Sequence, residues 1–587
     1  MLILGLNAYH GDVSAVLLRD GVLVAALEEE RFRRVKHCAG VPTLAAEACL
    51  RIAGVTAADV DVFAVPRLPR AHLWRKAWFA LTHGPGRGLL QSYRARATRH
   101  RDLAGALDRA FGLPAGHVAA RTRHIEHHPA HLASAFYASG FDEATVCAID
   151  GFGDFVSTSV ADGRGSTIDV RHRVFFPHSL GMLYLAITQY LGFPHYGDEF
   201  KVMGLAPYGT PRHVDRMASL VTLDPGGGFR LALEYFRHWS GEVAMQWDDG
   251  PPVVGRVWTE ALETLLGPAR RPDEPVTSHH EDLAASVQAL FEEAAFHVLR
   301  GAHARVPHDR LCLAGGCAMN SVANGKIRRH TPFTEVYVQP AAGDNGTALG
   351  AALAVWHARA PRTDGWRMDH AYWGTAYDDA ALAGALEASG LTAADGYVHR
   401  VIEEEAALCD EVAGHLAAGA VVGWFQGRME WGARALGARS ILADPRRADM
   451  REIINTKIKF RERFRPFAPS IIEEAVDEYF EDAAPDPFMA QVAVVRASHR
   501  ARIPAVTHVD GTGRLQAVGR AAHPRYWALL KAFEARTGVP VLLNTSFNEN
   551  EPIVEHPSQA IDCFRRTDMD VLVLGSHVVV RRREEAA

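Results

Sequence analysis

Four histidines fall within eight positions of "HIEHHPAHLASAF", residues 124–136, at the head of an apolar stretch. Two pairs are spaced by four, His124 with His128 and His127 with His131. That spacing sets both rings of a pair on one helical face, within reach of a single metal ion. Thirty histidines in one chain will also produce such spacings among ordinary surface or core residues, so the pair alone is half a site. The other half is available in Asp150 of "AIDGFGD" and Asp344 of "AAGDNG", each closing an apolar strand at a Gly-rich turn. Two imidazoles and two carboxylates form a donor set that suits Fe2+, Mn2+ or Zn2+ and leaves positions for a ligand oxygen. The competing expectation is that both aspartates only shape their turns.

A second constellation is cationic. Arg434 lies in "GARALGARS", Lys459, Arg461, Arg463 and Arg465 alternate through "KFRERFRPF", and Arg514 follows in "DGTGRLQ". Read as an extended segment, the alternation puts the four central cations on one side, as an anion cradle. Arginine forks suit phosphate or carboxyl groups, whereas a solvated strand more often interleaves acids with its bases. Ser546 in "LLNTSFN", after an apolar strand, can donate to the same anion.

The elements that must position these groups follow a repeated plan. "LILGLN", "SAVLLRDG" and "VLVAALEEE" predict a β-meander, and "TVCAIDGFGDFVSTSVADG" starts a second such cycle. Strand–turn–strand openings used twice predict a duplicated α/β architecture with a nucleotide in the cleft between its halves, and polar groups at the turns facing phosphates and their Mg2+. Gly151 lies in one such turn. In "LCLAGGCAMNSVANGKI", Gly315 and Gly316 form a turn into a helix expected to begin near Ala318 and to include Asn320, where N–H groups can meet a ribose or phosphate. A change of composition after "APRTDGW" sets a boundary near residue 370, giving domains 1–368 and 369–587. The second domain has the predicted strands "AVVGWFQG", "PVLLNTSF" and "VLVLGSHVVV".

At 587 residues the chain exceeds a single core. A net charge of −6 gives no global field for nucleic acid or anionic membranes. Seven cysteines without a C-x-x-C pair fit reduced thiols and a cytoplasmic location. No apolar run is long enough for stable membrane insertion. The most basic stretch, residues 67–101, mixes Arg with Trp and Phe and is expected to be a helical insertion, the alternative being a membrane-surface or acceptor-binding element.

Ten motifs in chain order resemble one family. "LGLNAYHGDVSAVLL", "EEERFRRVKH", "HHPAH", "AIDGFGD", "KVMGLAPYG", "LAGGCAMNSVANGKI", "AAGDNGTALGAAL", "GARALGARSIL", "FRERFRPFAPSI" and "VPVLLNTSFNENEPIV" are similar to those of the O-carbamoyltransferases of the nodulation-protein U, cephamycin and tobramycin group. The resemblance implies an N-terminal domain of the actin-like ATPase superfamily, like the tRNA threonylcarbamoyltransferase, and a YrdC-like C-terminal domain. It implies that carbamoyl phosphate and ATP give carbamoyl adenylate, whose carbamoyl group passes to the hydroxyl of a small-molecule acceptor, without nucleic acid as partner. It selects His127 and His131, with Asp150 and Asp344, as ligands of iron(II), and His10 of "HGDVSA" as a group acting beside the transferred carbamoyl. Arg434, Lys459, Arg465, Arg514, Asn544 and Ser546 match its carbamoyl phosphate and nucleotide pocket.

Phe200, Cys317 and Met319 depart from the family's usual residues, and "SFNENEPIV" lacks a glycine expected before Glu551. These departures affect packing and loop shape, and so bear on the choice of acceptor. Two rival activities share the implied folds. A tRNA threonylcarbamoyl-type transferase is expected to present a basic face, and a sugar-kinase-like ATP-binding protein leaves the Arg/Lys and His/Asp sets unexplained.

Overall fold

The computed structural model describes residues 1–83, 102–240, 243, 245–246, 250–362, 365–391 and 396–582. The chain divides into two compact units, Met1–Met368 and Asp369–Ala587. Both are mixed α/β.

The first unit contains two five-stranded sheets of the same order. In one, β1 (Leu2–Asn7) pairs antiparallel with β2 (Ser14–Arg19), which pairs with β3 (Val22–Glu28). On its other edge β1 runs parallel to β4 (Val62–Val65), and β4 to β5 (Thr122–His124). In the other, β6 (Glu143–Gly153), β7 (Val156–Arg164) and β8 (Thr167–Phe175) form the meander, and Arg310–Ala314 and Glu335–Val338 add the two parallel strands. The repeated plan expected from the sequence is therefore present as strand order, 3-2-1 followed by two crossovers, in each sheet. Near-continuous apolar runs in β1 and β6 match burial on both faces.

Helices His127–Phe136 and Gly346–His357 pack against each other, and the latter also against β1. Their approach depends on Gly350, where a Cβ would lie 1.7 Å from the carbonyl oxygen of Ala130. Only a residue without a side chain lets the backbones meet there.

In the basic stretch residues 67–72 are loop and turn and Leu73–His83 is a helix, while 84–101 lie outside the described residues. The turn after Ala314 is a 3-10 segment, Gly316–Met319, and the helix that follows is the short Ser321–Asn324, capped by the Asn320 side chain. All seven cysteines are free thiols. Among the described residues, no helix is long and apolar enough to cross a membrane.

The second unit is built on an eight-stranded sheet, with Val422–Phe425, Arg439–Ala443, Val541–Ser546 and Ala468–Ile472 adjacent in that sheet. The run "VLVLGSHVVV" is two strands, Val571–Leu574 and His577–Arg581, folded on each other as a hairpin. The cationic segment is not the strand its alternation suggests. Asn455–Lys459 is a π-helical turn and residues 461–467 are loop, so Arg463 points outward, 84% exposed and paired with Glu452, while Lys459 is buried. The face opposite the cations would carry Phe460, Glu462, Phe464 and Pro466, an apolar face broken by a carboxylate and ended by a residue without an N–H, so this segment is a poor strand.

Candidate functional site

Helix His127–Phe136 puts the rings of His127 and His131 on one face, both fully buried. Their Nε2 atoms lie 3.1 Å apart. Asp150 Oδ2 lies 3.5 and 3.8 Å from them, and Asp344 Oδ1 3.4 and 3.6 Å. One donor atom from each residue fits within a 4.8 Å span. Ligands about 2.1 Å from one ion sit roughly 3.0–3.4 Å from one another, so the four atoms match the shell of a single metal. Of the two four-residue pairs, this is the one the fold assembles. His128 is turned away, its Nε2–H donating to the carbonyl of Val156 (2.9 Å), and the ring of exposed His124 donates from Nδ1 to the carbonyl of Arg67.

The carboxylates are aimed by their surroundings. Asp150 Oδ1 accepts from the Gly316 N–H at 2.8 Å, leaving Oδ2 toward the histidines. Asp344 ends the turn before helix Gly346–His357, and that turn is tied to the first hairpin by Ser14 Oγ donating to the Asn345 carbonyl and Asn345 Nδ2 donating to Glu28. Gly153 faces the His127 ring so closely that a Cβ would lie 1.9 Å from Cδ2. Burial opposes charge on His127, yet Asp150 and Asp344 outweigh it and push the imidazole up to about 10. Burial likewise opposes charge on Asp344, but His10, His127 and His131 hold its carboxyl well below the usual range.

His10 lies in the β1–β2 turn, its Nδ1 3.4 Å from Asp344 Oδ2 and its ring stacked on His127 at 5.1 Å. Burial lowers its pKa, partly offset by Asp344, which favours the neutral imidazole. Gly316 thus joins this site through Asp150. Gly315 packs on the Ile149 carbonyl, and Gly151 faces open space. Asn320 is occupied elsewhere, exchanging hydrogen bonds with Gln288 while it caps its helix.

In the second unit, Arg434, Arg461 and Arg465 all raise the electrostatic cost of charge on Arg514. Burial, then this crowding, lowers the Arg514 pKa, and burial lowers Arg434 to about 10 despite the nearby carboxyl of Asp486. Buried Arg461 Nη2 and Arg514 Nε have no hydrogen-bond partner among the described residues. Crowded guanidiniums with unsatisfied donors make a site for an anion. Asp486 is itself pushed up to about 6, by burial against three backbone N–H donors and Arg434.

Lys459 Nζ donates to the Ser546 carbonyl and to Asn548 O and Oδ1 at 2.5–2.7 Å, and to Ser546 Oγ at 3.3 Å. Asn544 Nδ2 donates to the carbonyl of Ala435, beside Arg434, and to Ser470 and Gln516.

Some participants carried no sequence signal of their own. Glu430 Oε1 accepts from the N–H groups of Leu436, Ala438 and Arg439 and so shapes the loop presenting Arg434. Asp154 Oδ2 accepts from the N–H groups of Leu68 and His127, fixing the start of the histidine helix. Asp12 pairs with His37 at 2.7 Å two residues beyond His10, and with Glu30 these form a second group of three possible ligands. The motif "EEERFRRVKH" ends on His37 and could have drawn attention to it.

A His2Asp2 set in the first unit and a cluster of arginines in the second are the groups of chemistry-bearing side chains that the two folds bring together. The family description Carbamoyltransferase N-terminus matches residues 2–100 and 116–353, and Carbamoyltransferase C-terminus matches residues 413–581. The chain is 41% identical over 593 residues to nodulation protein NolNO of Sinorhizobium fredii, covering 98% of this chain and 80% of that protein. It is 43% identical over 467 residues to nodulation protein NolO of Bradyrhizobium diazoefficiens (78% and 79%), and 39% identical over 619 residues to an uncharacterized protein of Synechocystis (99% and 96%). The chain belongs to the carbamoyltransferase family and is a transferase enzyme. Likeness to solved structures is slight. Component A of Acidaminococcus fermentans (R)-2-hydroxyglutaryl-CoA dehydratase, for example, gives a TM-score of 0.33 at 14% identity over 61% of this chain and all of that one.

Proposed function

We propose that the protein is an ATP-dependent O-carbamoyltransferase, its first unit actin-like and its second YrdC-like, acting on a small-molecule alcohol. The observation that carries this reading is the convergence of His127, His131, Asp150 and Asp344 beside His10 in a chain of the carbamoyltransferase family.

Carbamoyl phosphate first reaches the arginine cradle, where Arg434, Arg465 and Arg514 neutralise its phosphate and burial holds bulk water away from its labile anhydride. One admitted water hydrolyses it to inorganic phosphate, which departs, and carbamate, whose oxygen attacks the α-phosphorus of ATP and expels pyrophosphate, giving carbamoyl adenylate. Lys459 braces the Ser546–Asn548 segment and sets its position at this site. Glu430 and Asn544 hold the Arg434 loop in place.

Carbamoyl transfer is assigned to the first unit. The acceptor hydroxyl attacks the carbamoyl carbon, AMP leaves, and neutral His10 takes the hydroxyl proton at one ring nitrogen while Asp344 orients the other and offsets the charge it gains. The donor set fits iron(II), manganese or zinc, and a metal held by the four residues supplies Lewis-acid neutralisation of phosphate charge.

The test is whether purified protein with iron(II) and Mg2+ converts ATP to AMP and pyrophosphate only when carbamoyl phosphate is present. AMP formation is expected. ADP formation, or ATP untouched by folded, metal-loaded protein, rejects the reading in favour of a kinase-like or binding role.

A further inference from the structure

The helix Leu73–His83 carries its apolar side outward. At about 100° per residue, Leu73, Trp74, Ala77, Trp78 and Leu81 share one face. Trp74 is 80%, Trp78 62% and Leu81 81% exposed, and Leu73 and Ala77 are exposed with them. The opposite face holds Lys76, Phe79 and His83, and Phe79 is the helix's one buried residue.

The packing fixes this orientation. The Phe79 ring meets Phe155 and Phe176 edge-on at 6.0 and 5.0 Å and stacks on His83 at 4.5 Å. Arg75 lies over the Phe175 ring at 3.9 Å, and His72, just before the helix, pairs with Glu126 at 2.7 Å. Turning the helix over to bury its tryptophans would break these contacts. Two tryptophans and two leucines left outside on a docked helix mark a surface for another body.

The charges around the patch select an anionic one. Residues 67–83 contain Arg67, Arg70, Arg75 and Lys76 and no Asp or Glu, in a chain of net charge −6. Glu126 and Asp154 act on Lys76, on the inner side of the helix. Both are engaged there, Glu126 by His72 and Arg173, Asp154 by the N–H groups of Leu68 and His127.

The shape of the patch selects a bilayer over a protein. Tryptophans that anchor protein partners sit in packed pockets ringed by other contacts, whereas Trp74 stands clear of neighbouring walls. A helix lying in a membrane interface needs no walls, and indole rings favour the headgroup level, where the ring is in apolar surroundings and the N–H meets polar groups. Eleven residues span about 16 Å, too short to cross a bilayer and long enough to lie along it.

We propose that the helix Leu73–His83 docks the protein on an anionic phospholipid surface, with Trp74, Trp78 and Leu81 in the boundary between headgroups and acyl chains and Arg70 and Arg75 at the level of the lipid phosphates. The test is flotation of the full chain with vesicles of phosphatidylcholine alone and with about 30% phosphatidylglycerol, at about 0.1 M salt. Binding to the anionic vesicles is expected to exceed binding to the neutral ones at least about tenfold, and to fall when salt is raised to about 0.5 M.

The double variant Trp74→Ser, Trp78→Ser should weaken binding about tenfold or more, and Arg70→Ala about fivefold, the share of one cation near the surface. All three positions are exposed, so both variants are expected to keep the wild-type thermal midpoint. Arg70→Ala lies outside the helix and carries the test alone if the double variant is unstable. Absence of wild-type binding to anionic vesicles, equal binding to neutral ones, or undiminished binding of a folded variant overturns the proposal. So does a wild-type dimer that the double variant dissociates without any vesicle binding, which would make this face an interface between copies. Catalytic activity is not measured in any arm, so the result is independent of the carbamoyl-transfer reading.

Discussion

The Nε2 atoms of His127 and His131 face each other at 3.1 Å, with carboxylate oxygens of Asp150 and Asp344 within 3.8 Å of both. Two ring nitrogens this close can share one proton or one ion. The two carboxylates brought to the same point make a cation the natural occupant.

His131→Ala is expected to remove one donor from this set and lower affinity for iron(II), manganese or zinc by at least about 100-fold, more than outer-shell changes typically cost. Anaerobic metal titration followed by elemental analysis measures it. A variant that keeps wild-type stoichiometry and affinity after desalting would remove His131 from the metal site.

Gly350→Ala tests the scaffold without touching a donor atom. Its Cβ would lie 1.7 Å from the Ala130 carbonyl oxygen, so the histidine helix and the helix after Asp344 must separate. Overpacking of this kind costs about 1–3 kcal/mol, and we expect a lower thermal midpoint together with weaker metal binding. Unchanged metal affinity would show that the site tolerates movement of its supporting helices.

Arg514 is crowded by Arg434, Arg461 and Arg465, so an anion should stabilise the second unit by relieving that repulsion. Inorganic phosphate is expected to raise the thermal midpoint of the full chain, and Arg514→Ala to abolish most of the increase. The same variant should raise the KM for carbamoyl phosphate about tenfold or more, the scale of a lost charge-assisted contact. An equal phosphate response in wild type and variant would count against the cradle.

The Asp12–His37 pair carries a pH dependence. Burial disfavours a charged His37, but Asp12 at 2.7 Å and then Glu30 raise its pKa to about 9. A raised histidine pKa contributes stability that is fully present below the unfolded value of about 6.5 and is lost as pH rises through about 9. Thermal midpoints of wild type and Asp12→Asn, measured from pH 6 to 10, should therefore differ most at pH 6 and converge towards pH 10. A gap that widens with pH has the wrong sign for this pair.

Local features of the site were readable directly from residue order. The four-residue spacing of His127 and His131, the Asp-Gly turns and the apolar runs of β1 and β6 act over one or two turns of chain, where helical and strand periodicities dictate which side chains share a face. The repeated meander was readable for the same reason. Charge alternation in "KFRERFRPF" was a weaker guide, because Glu462 and Pro466 break the apolar face that Phe460 and Phe464 begin, and the segment folds as a π-helical turn and loop.

Residue spacing left two histidine pairs open and the family resemblance selected one of them, but the physical reason for that choice lies in the tertiary structure. His124 and His128 have the same spacing, but His124 ends strand β5 before the helix begins, while the packing of helix His127–Phe136 on the Gly346–His357 helix and β6 places His127 and His131 beside Asp150 and Asp344. Tertiary structure also decided the roles of Glu430, whose buried carboxylate gathers three N–H groups of the Arg434 loop, and of Asn320, drawn off to Gln288. Such roles depend on which unsatisfied donors packing brings to a side chain. That outcome is set by the burial of the whole core and by no local run of residues.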